Sequence, residues 1–487
     1  MLWVGLLSLA GGGEFSLALA KEPAAPPALR PSQQTALETV AKEKEAILRT
    51  NKALWEFAEV GLDEKKSSAM LVEQLRQAGF EVQVGIGDMP TAFVASYGFG
   101  KPTIGILAEY DALPGLSQKI STEQEAFQVG AAGHGCGHSG LGAGTLGAAL
   151  AVQSAMKAHK LPGTLQIFGT PAEETVIGKV YLLLDGAFQD LDVCLHWHPG
   201  TKNEVWNGSS KALISAKFTF MGTASHAAGS PDKGRSALDG VELMNVGANF
   251  MREHLKEDAR LHYVTTNGGG QPNVVPPEAT VWYYIRSDNH EDAVAIYRWL
   301  HDVAKGASLM SRTTYSVQVE TDCHELFSNQ ALAEVFQNSL QRQAPPQFTE
   351  DELAFARRLQ ITYESADHPF TIPLEAKVQS LATIGERSKG STDVGDISWF
   401  VPTCGLRTAC FPIGAPGHSW QNVASIGSTI GEKGIVYAAE VLSLTALDLL
   451  ETPKLVAAAR AEFQEKMKSR KYTTLIPDGQ KPPRTIR

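Results

Sequence analysis

Metal-capable side chains fall in four places far apart in the chain, Cys136/His138, Glu173/Glu174, His198 and His418, and each stands where an apolar run passes into a loop. If the runs are strands, the fold must gather several strand ends at one point. Ligands that converge from separate strand ends can hold two divalent cations in one cleft, which is the equipment for activating water against an amide bond.

The pattern around these clusters alternates strand with helix. Residues 34–58 have helical composition, and 67–78 form a second amphipathic helix closed by Gly79. Apolar strands are expected at 92–97, 103–107, 165–169 and 191–195, and polar residues of ligand type follow the apolar part of several of them. Continuous apolar strands separated by helices indicate an α/β fold, a three-layer doubly wound domain on a mostly parallel sheet. Such sheets bind ligands beyond the carboxyl ends of their strands. Between 209 and 324 the texture changes: strands at 214–221 and 279–285 alternate with helices at 236–255 and 290–307, and no metal-type cluster occurs. That stretch reads as an inserted, smaller α/β domain. The catalytic domain is then discontinuous, 33–208 and 325–452, with a C-terminal tail at 453–487.

Charge narrows the function classes. The formal net charge is -10, from 43 basic and 53 acidic residues, and no basic stretch is long enough to track phosphates. Nucleic acid is excluded as a partner on that ground. The five cysteines are odd in number and widely spaced, so disulfides do not build the fold. Residues 1–20 have the apolar run and the small-residue ending of a signal peptide, although no Lys or Arg precedes the run and Glu14 interrupts it. A functional signal makes the protein exported, periplasmic or secreted; without one it is cytoplasmic. Residues 21–32 read as a Pro/Ala linker, and no span in the mature chain approaches the roughly 20 apolar residues of a membrane helix.

Each cluster also has a plainer reading. The glycines of Gly133-His134-Gly135-Cys136-Gly137-His138 let a thiolate and an imidazole approach one point, but a buried Cys and a capping His would use the same residues. Glu173 and Glu174 cannot both point the same way, so one can bind metal while the other moves protons; a solvated pair is the alternative. Isolated histidines such as His198 and His418 are most often structural. Their joint occurrence at strand ends favours metal.

The segments Glu109 to Pro114, Gly133 to His138, Pro171 to Glu174, Ser225 to Ala228, Pro272 to Pro276 and Ser391 to Asp396 resemble, in order, metallopeptidase family twenty, the aminoacylase/carboxypeptidase group. Trp197 to Pro199, Gly234 to Asp239 and Ser391 to Asp396 place the likeness nearest a branch acting on aroyl-glutamates. The resemblance implies that Cys136, His138, Glu174, His198 and His418 ligate two Mn²⁺ or Zn²⁺ ions per subunit, that Glu173 is the general base, and that Asp111 orients a ligand from behind. It further implies that the insert mediates a homodimer and lends His226 to the partner's oxyanion, and that Asn273 and Arg286 hold the substrate's carbonyl or carboxylate. His196 competes with His198 as ligand, and His198 is preferred because Trp-His-Pro matches the nearest branch. Ser139 stands where many relatives carry Asp, which leaves metal preference open.

The expected activity is hydrolysis of the amide bond of a small N-acyl amino acid, an aroyl-glutamate among the candidates. A dipeptidase or carboxypeptidase would keep the same catalytic residues. A reading of another class is a non-catalytic, metal-binding partner subunit of a heteromer; the intact Glu173 argues against it.

Overall fold

The computed structural model describes residues 28–367, 369–382 and 387–484. The expected signal segment at 1–20 lies outside the described residues, as does 21–27 of the expected linker. Among the described residues no helix is long and apolar enough to cross a membrane.

The strands, in chain order, are β1 (Glu81–Val84), β2 (Phe93–Phe99), β3 (Thr103–Ala108), β4 (Gly163–Gly169), β5 (Val193–Gly200), β6 (Glu204–Trp206), β7 (Ala212–Met221), β8 (Arg260–Asn267), β9 (Glu278–Ser287), β10 (Thr314–Cys323) and β11 (Thr403–Ala409). A seven-stranded sheet runs β1-β2-β4-β3-β5-β11-β6, and a four-stranded sheet runs β10-β7-β9-β8. In the larger sheet β4, β3, β5 and β11 are mutually parallel, so their carboxyl ends share one edge. The short strands β1 and β6 and the longer β2 pair antiparallel at the margins. The fold is mixed α/β with a mostly parallel central sheet and a separate antiparallel sheet, in agreement with the pattern read from the sequence.

One face of the large sheet is covered by helices Pro31–Phe57, His138–His159, Gln330–Arg342 and Thr429–Glu451, which share a core with Ile104, Ile106, Leu195 and Leu406. The helix His138–His159 approaches closely because of its glycines. A Cβ at Gly144 would come within 2.6 Å of the Trp197 ring, and one at Gly147 within 2.7 Å of Ile47. At those distances a methyl group at Gly144 would push the helix from the sheet, and one at Gly147 would press on the neighbouring helix Pro31–Phe57. On the other face Leu107, Phe168 and Cys194 pack with helix Gly178–Leu184 in a core that continues into the insert.

In the insert, β9 alternates buried with half-buried positions along its length, and helices Ala237–Arg252 and His290–Ser311 lie in the same apolar core. Two of its four strands, β8 and β10, were not among the sequence expectations. β8 is mostly exposed and gives little apolar signal, whereas Tyr315, Val317 and Val319 of β10 do alternate with polar residues. The stretch read as a tail is mostly exposed but is anchored at particular points, with Val456, Ala459 and Ile476 buried. Helix Pro453–Met467 carries Arg460, whose Nη1 lies 2.6 Å from Asp192, and beyond the helix Tyr472 Oη donates to Asp396 at 2.9 Å. Farther on, the Leu475 N–H donates to Asp322 at 2.6 Å and Gln480 to the Val319 carbonyl at 2.7 Å. The last stretch thereby ties β10 to the catalytic domain.

Candidate metal centre

The carboxyl ends of the parallel strands deliver the polar residues. β3 runs into Glu109-Tyr110-Asp111, β4 into a single helical turn Glu173–Thr175, β5 carries His198, and the loop after β11 carries His418. His138 is the first residue of its helix, which Gly137 starts from a left-handed conformation (φ 84°). The turn holding Glu173 and Glu174 is bracketed by Ala172 (φ 57°) and Val176 (φ 53°), and His418 also has positive φ (55°). For a β-branched valine such a conformation costs on the order of 1–3 kcal/mol and persists only where neighbours over-determine it. Here the Glu64 carboxylate accepts from the Ala172 N–H at 2.8 Å, and Thr321 Oγ1 donates to the Val176 carbonyl.

Two triads of donor atoms share one thiol. Cys136, His138 and His198 offer ligand atoms within 4.8 Å of one another, and so do Cys136, Glu174 and His418. Cys136 Sγ lies 3.3 Å from His198 Nε2, and His418 Nε2 lies 3.2 Å from Glu174 Oε2. His198 Nδ1 sits 2.7 Å from the Pro199 carbonyl, which assigns the ring proton to Nδ1 and leaves the Nε2 lone pair toward Cys136. Similarly, Asp111 Oδ1 is 2.8 Å from His138 Nδ1. His138 Nε2 and Glu174 Oε1 are buried with no hydrogen-bond partner. Unpaired buried polar atoms are rare and need a cause. Cations held by the two donor groups would supply one, and the thiolate, imidazole and carboxylate donors suit a borderline divalent ion. The residues fit divalent metal, with Cys136 common to two of the donor groups.

Burial and mutual proximity dominate the charge states of these donors. Burial pushes the Cys136 thiol up to about 12 and the Glu174 carboxyl up to about 8, and it raises the Glu173 carboxyl well above its usual range. Burial brings His198 down to about 4, so its ring is neutral. Burial opposes a proton on His138, but the adjoining Cys136 and Asp111 raise it overall. Cations in the cleft would reverse the balance for the acidic ligands, which must ionise to bind.

Of the residues singled out from sequence, Cys136, His138, Glu174, His198 and His418 therefore lie together. Glu173 is beside them, in a third triad with Glu109 and His138. His196 belongs to none of these groups; it is buried against Trp206, and burial pulls its ring down to about 3. Ser139 Oγ is buried and unpartnered. On the insert, His226 is bonded locally, accepting at Nδ1 from the Ala228 and Gly229 N–H groups, and Ala227 N–H donates to the Asn273 carbonyl. Neither His226 nor Asn273 joins the ligand groups found among the described residues. Arg286 donates to Ser391 Oγ at 2.8 Å and passes over the Tyr284 ring.

Three further residues support the centre and were not foreseen. Lys179 is fully buried, 2.8 Å from Glu109 and 2.7 Å from Asp393. Glu109 Oε2 in turn lies 3.3 Å from His138 Nε2. The available signal was a lone lysine inside the apolar run 176–184, since a charge in such a run must find a partner.

The profile of Peptidase family M20/M25/M40 matches residues 105–448, which contain every one of these ligands. The chain belongs to this family. The M20 chain is 36% identical over 453 residues to the B-type subunit of p-aminobenzoyl-glutamate hydrolase of Escherichia coli K12, covering 88% of this chain and 94% of the relative. It is 28% identical over 450 residues to the Xaa-Arg dipeptidase of Mus musculus, covering 89% and 93%. Among solved structures, a Bacillus subtilis dinuclear metal-binding peptidase of the M20 family superposes with a TM-score of 0.55 at 16% identity, covering 85% of this chain and 99% of that one. The protein is a metal-dependent amidohydrolase.

Proposed function

We propose that this M20 enzyme hydrolyses the amide bond of an N-acyl amino acid, of which an aroyl-glutamate such as p-aminobenzoyl-glutamate is the first candidate. The observation that carries the reading is the pair of donor triads sharing Cys136, with the Glu173 carboxylate beside them. The substrate follows from the 36% identity to the E. coli p-aminobenzoyl-glutamate hydrolase over nearly all of both chains.

Two divalent cations, Mn²⁺ or Zn²⁺, held by Cys136, His138, Glu174, His198 and His418 would acidify a water and polarise the amide carbonyl. Glu173 takes a proton from the attacking water and delivers it to the leaving nitrogen, a role suited to a carboxylate that burial has made more basic. Asp111 keeps the His138 ring in one orientation through Nδ1. His226, donated by the insert of a second copy, stabilises the oxyanion. Asn273 and Arg286 take the substrate's carbonyl and α-carboxylate; Arg286 suits this because a guanidinium grips a carboxylate through two parallel hydrogen bonds.

Dipeptidase action is the second reading, favoured by the Xaa-Arg dipeptidase relative. A heteromeric partner is a further proposal, since the E. coli relative is itself one of the subunits of its enzyme. Release of free amino acid from a panel of N-aroyl amino acids and dipeptides, with protein of known metal content, tests all of these. Hydrolysis confined to dipeptides rejects the aroyl reading, and binding without hydrolysis rejects the enzyme reading.

A further inference from the structure

A substrate ending in glutamate carries two carboxylates, and the residues assigned above answer only one of them. The centre has few cations available for the other. Lys179 is committed to Glu109 and Asp393 and has no exposed surface. Arg286 is the group already given the α-carboxylate.

Arg407 remains. It pairs in register with His198 across the parallel β5–β11 ladder, so the two side chains leave the same face of the sheet on adjacent strands. Its guanidinium lies on the Trp206 ring at 4.3 Å, and Trp206 also packs edge-on against His198. Stacking fixes the guanidinium plane while leaving its N–H edge open, which is a pre-organised carboxylate receptor. The nearest carboxylate, Glu204, is 3.7 Å away, too long for a hydrogen bond, and both side chains keep about a third of their surface exposed, 34% and 30%. Among the described residues no hydrogen bond from the Arg407 side chain is shorter than this approach to Glu204.

We propose that Arg407, held flat by Trp206, is the specificity-determining residue for a second carboxylate on the substrate, so that the enzyme prefers N-acyl derivatives of glutamate or aspartate over neutral amino acids of the same shape. This inference rests on the proposed hydrolysis of N-acyl amino acids. Glu204 flanks the same guanidinium and opposes an incoming anion.

The test compares N-(4-aminobenzoyl)-glutamate with N-(4-aminobenzoyl)-glutamine on metal-loaded protein; the pair differs in charge but hardly in shape. Loss of a charged hydrogen-bond partner at a partly exposed site corresponds to about a 10- to 100-fold effect. The wild-type ratio of kcat/KM, glutamate over glutamine, should be of that size. Arg407→Met should bring the ratio toward one, chiefly through the KM of the glutamate substrate. Arg407→Lys should restore part of it, and Glu204→Gln should lower that KM below the wild-type value. Equal use of the two substrates by the wild type, or a parallel loss on both in Arg407→Met with the metal content intact, overturns the Arg407 assignment while leaving the amidohydrolase reading standing. Failure of the wild type to cleave any N-acyl amino acid would instead remove the reading beneath it.

Discussion

Asp111 and His138 form a fully buried pair, Oδ1 to Nδ1 at 2.8 Å, and the other oxygen of Asp111 accepts the Glu174 backbone N–H at 2.9 Å. One carboxylate thus sets the orientation of a ligand from each donor triad. Burial alone would raise the Asp111 carboxyl, yet the His138 charge and hydrogen bond hold it below its usual range. We expect Asp111→Ala to weaken metal affinity by about 10- to 100-fold, as for other residues that orient a ligand from behind. Competition with a chromogenic chelator measures it; unchanged affinity would remove the orienting role.

The adjacent glutamates should separate cleanly. Glu173→Ala should retain metal, by elemental analysis, and lose turnover by several orders of magnitude, because proton transfer is lost while the donor triads through Cys136 stay intact. Glu174→Ala should lose metal as well. Near-normal hydrolysis by Glu173→Ala protein would refute its assignment as base.

The contrast between these residues and Lys179 shows what sequence can carry. Glu173, Glu174 and His198 are legible because they close apolar runs whose ends a parallel sheet must gather; Cys136 and His138 are legible by residue type alone, since the structure brings them in at the start of a helix and not at a strand end as expected. Lys179 is an ordinary residue type, and its two partners lie 70 residues before it and 214 after it in the chain, so only the folded sheet reveals the triad. Glu64 is hidden for the same reason: its carboxylate supports the Ala172 turn from 108 residues away. In the insert the helices were readable from their period, but β8 exposes most of its side chains and lacks the apolar alternation that would mark a half-buried strand.

Lys179 should be essential to stability. Lys179→Met would leave Glu109 and Asp393 facing each other's field without the cation between them, and breaking a buried ion pair from one side costs about 3–5 kcal/mol. Urea denaturation should show that loss, and adding Asp393→Asn to the variant should recover part of it. A Lys179→Met protein as stable as wild type would contradict the ion-pair geometry.

The proposed donation of His226 across a dimer has its own signature. In the described chain His226 is exposed and bonded only to its own turn. If it serves the partner's cleft, then inactive His226→Ala and inactive Glu173→Ala proteins, mixed under conditions that exchange subunits, should regain part of the wild-type rate, because one cleft in the hybrid is complete. Sedimentation of an active monomer would dispose of the idea.

Away from the metal centre, Glu440 supplies a test of pH linkage. Burial pushes its carboxyl up to about 7 from an ordinary value of 4.5, against the opposing influence of the Gln343 hydrogen bond at 2.8 Å and the charge of Lys44. Because the folded value lies above the unfolded one, the stabilisation from protonated Glu440 is complete below 4.5 and is lost as pH rises through about 7. Glu440→Gln keeps an acceptor for Gln343 and cannot ionise. Its urea midpoint should therefore exceed that of the wild type at pH 8, the advantage shrinking through the window between the two values and disappearing below it. Taking the difference between variant and wild type at each pH cancels the linkage of the metal ligands, which both proteins share. A difference that does not vary with pH would show that Glu440 titrates alike in the folded and unfolded chains.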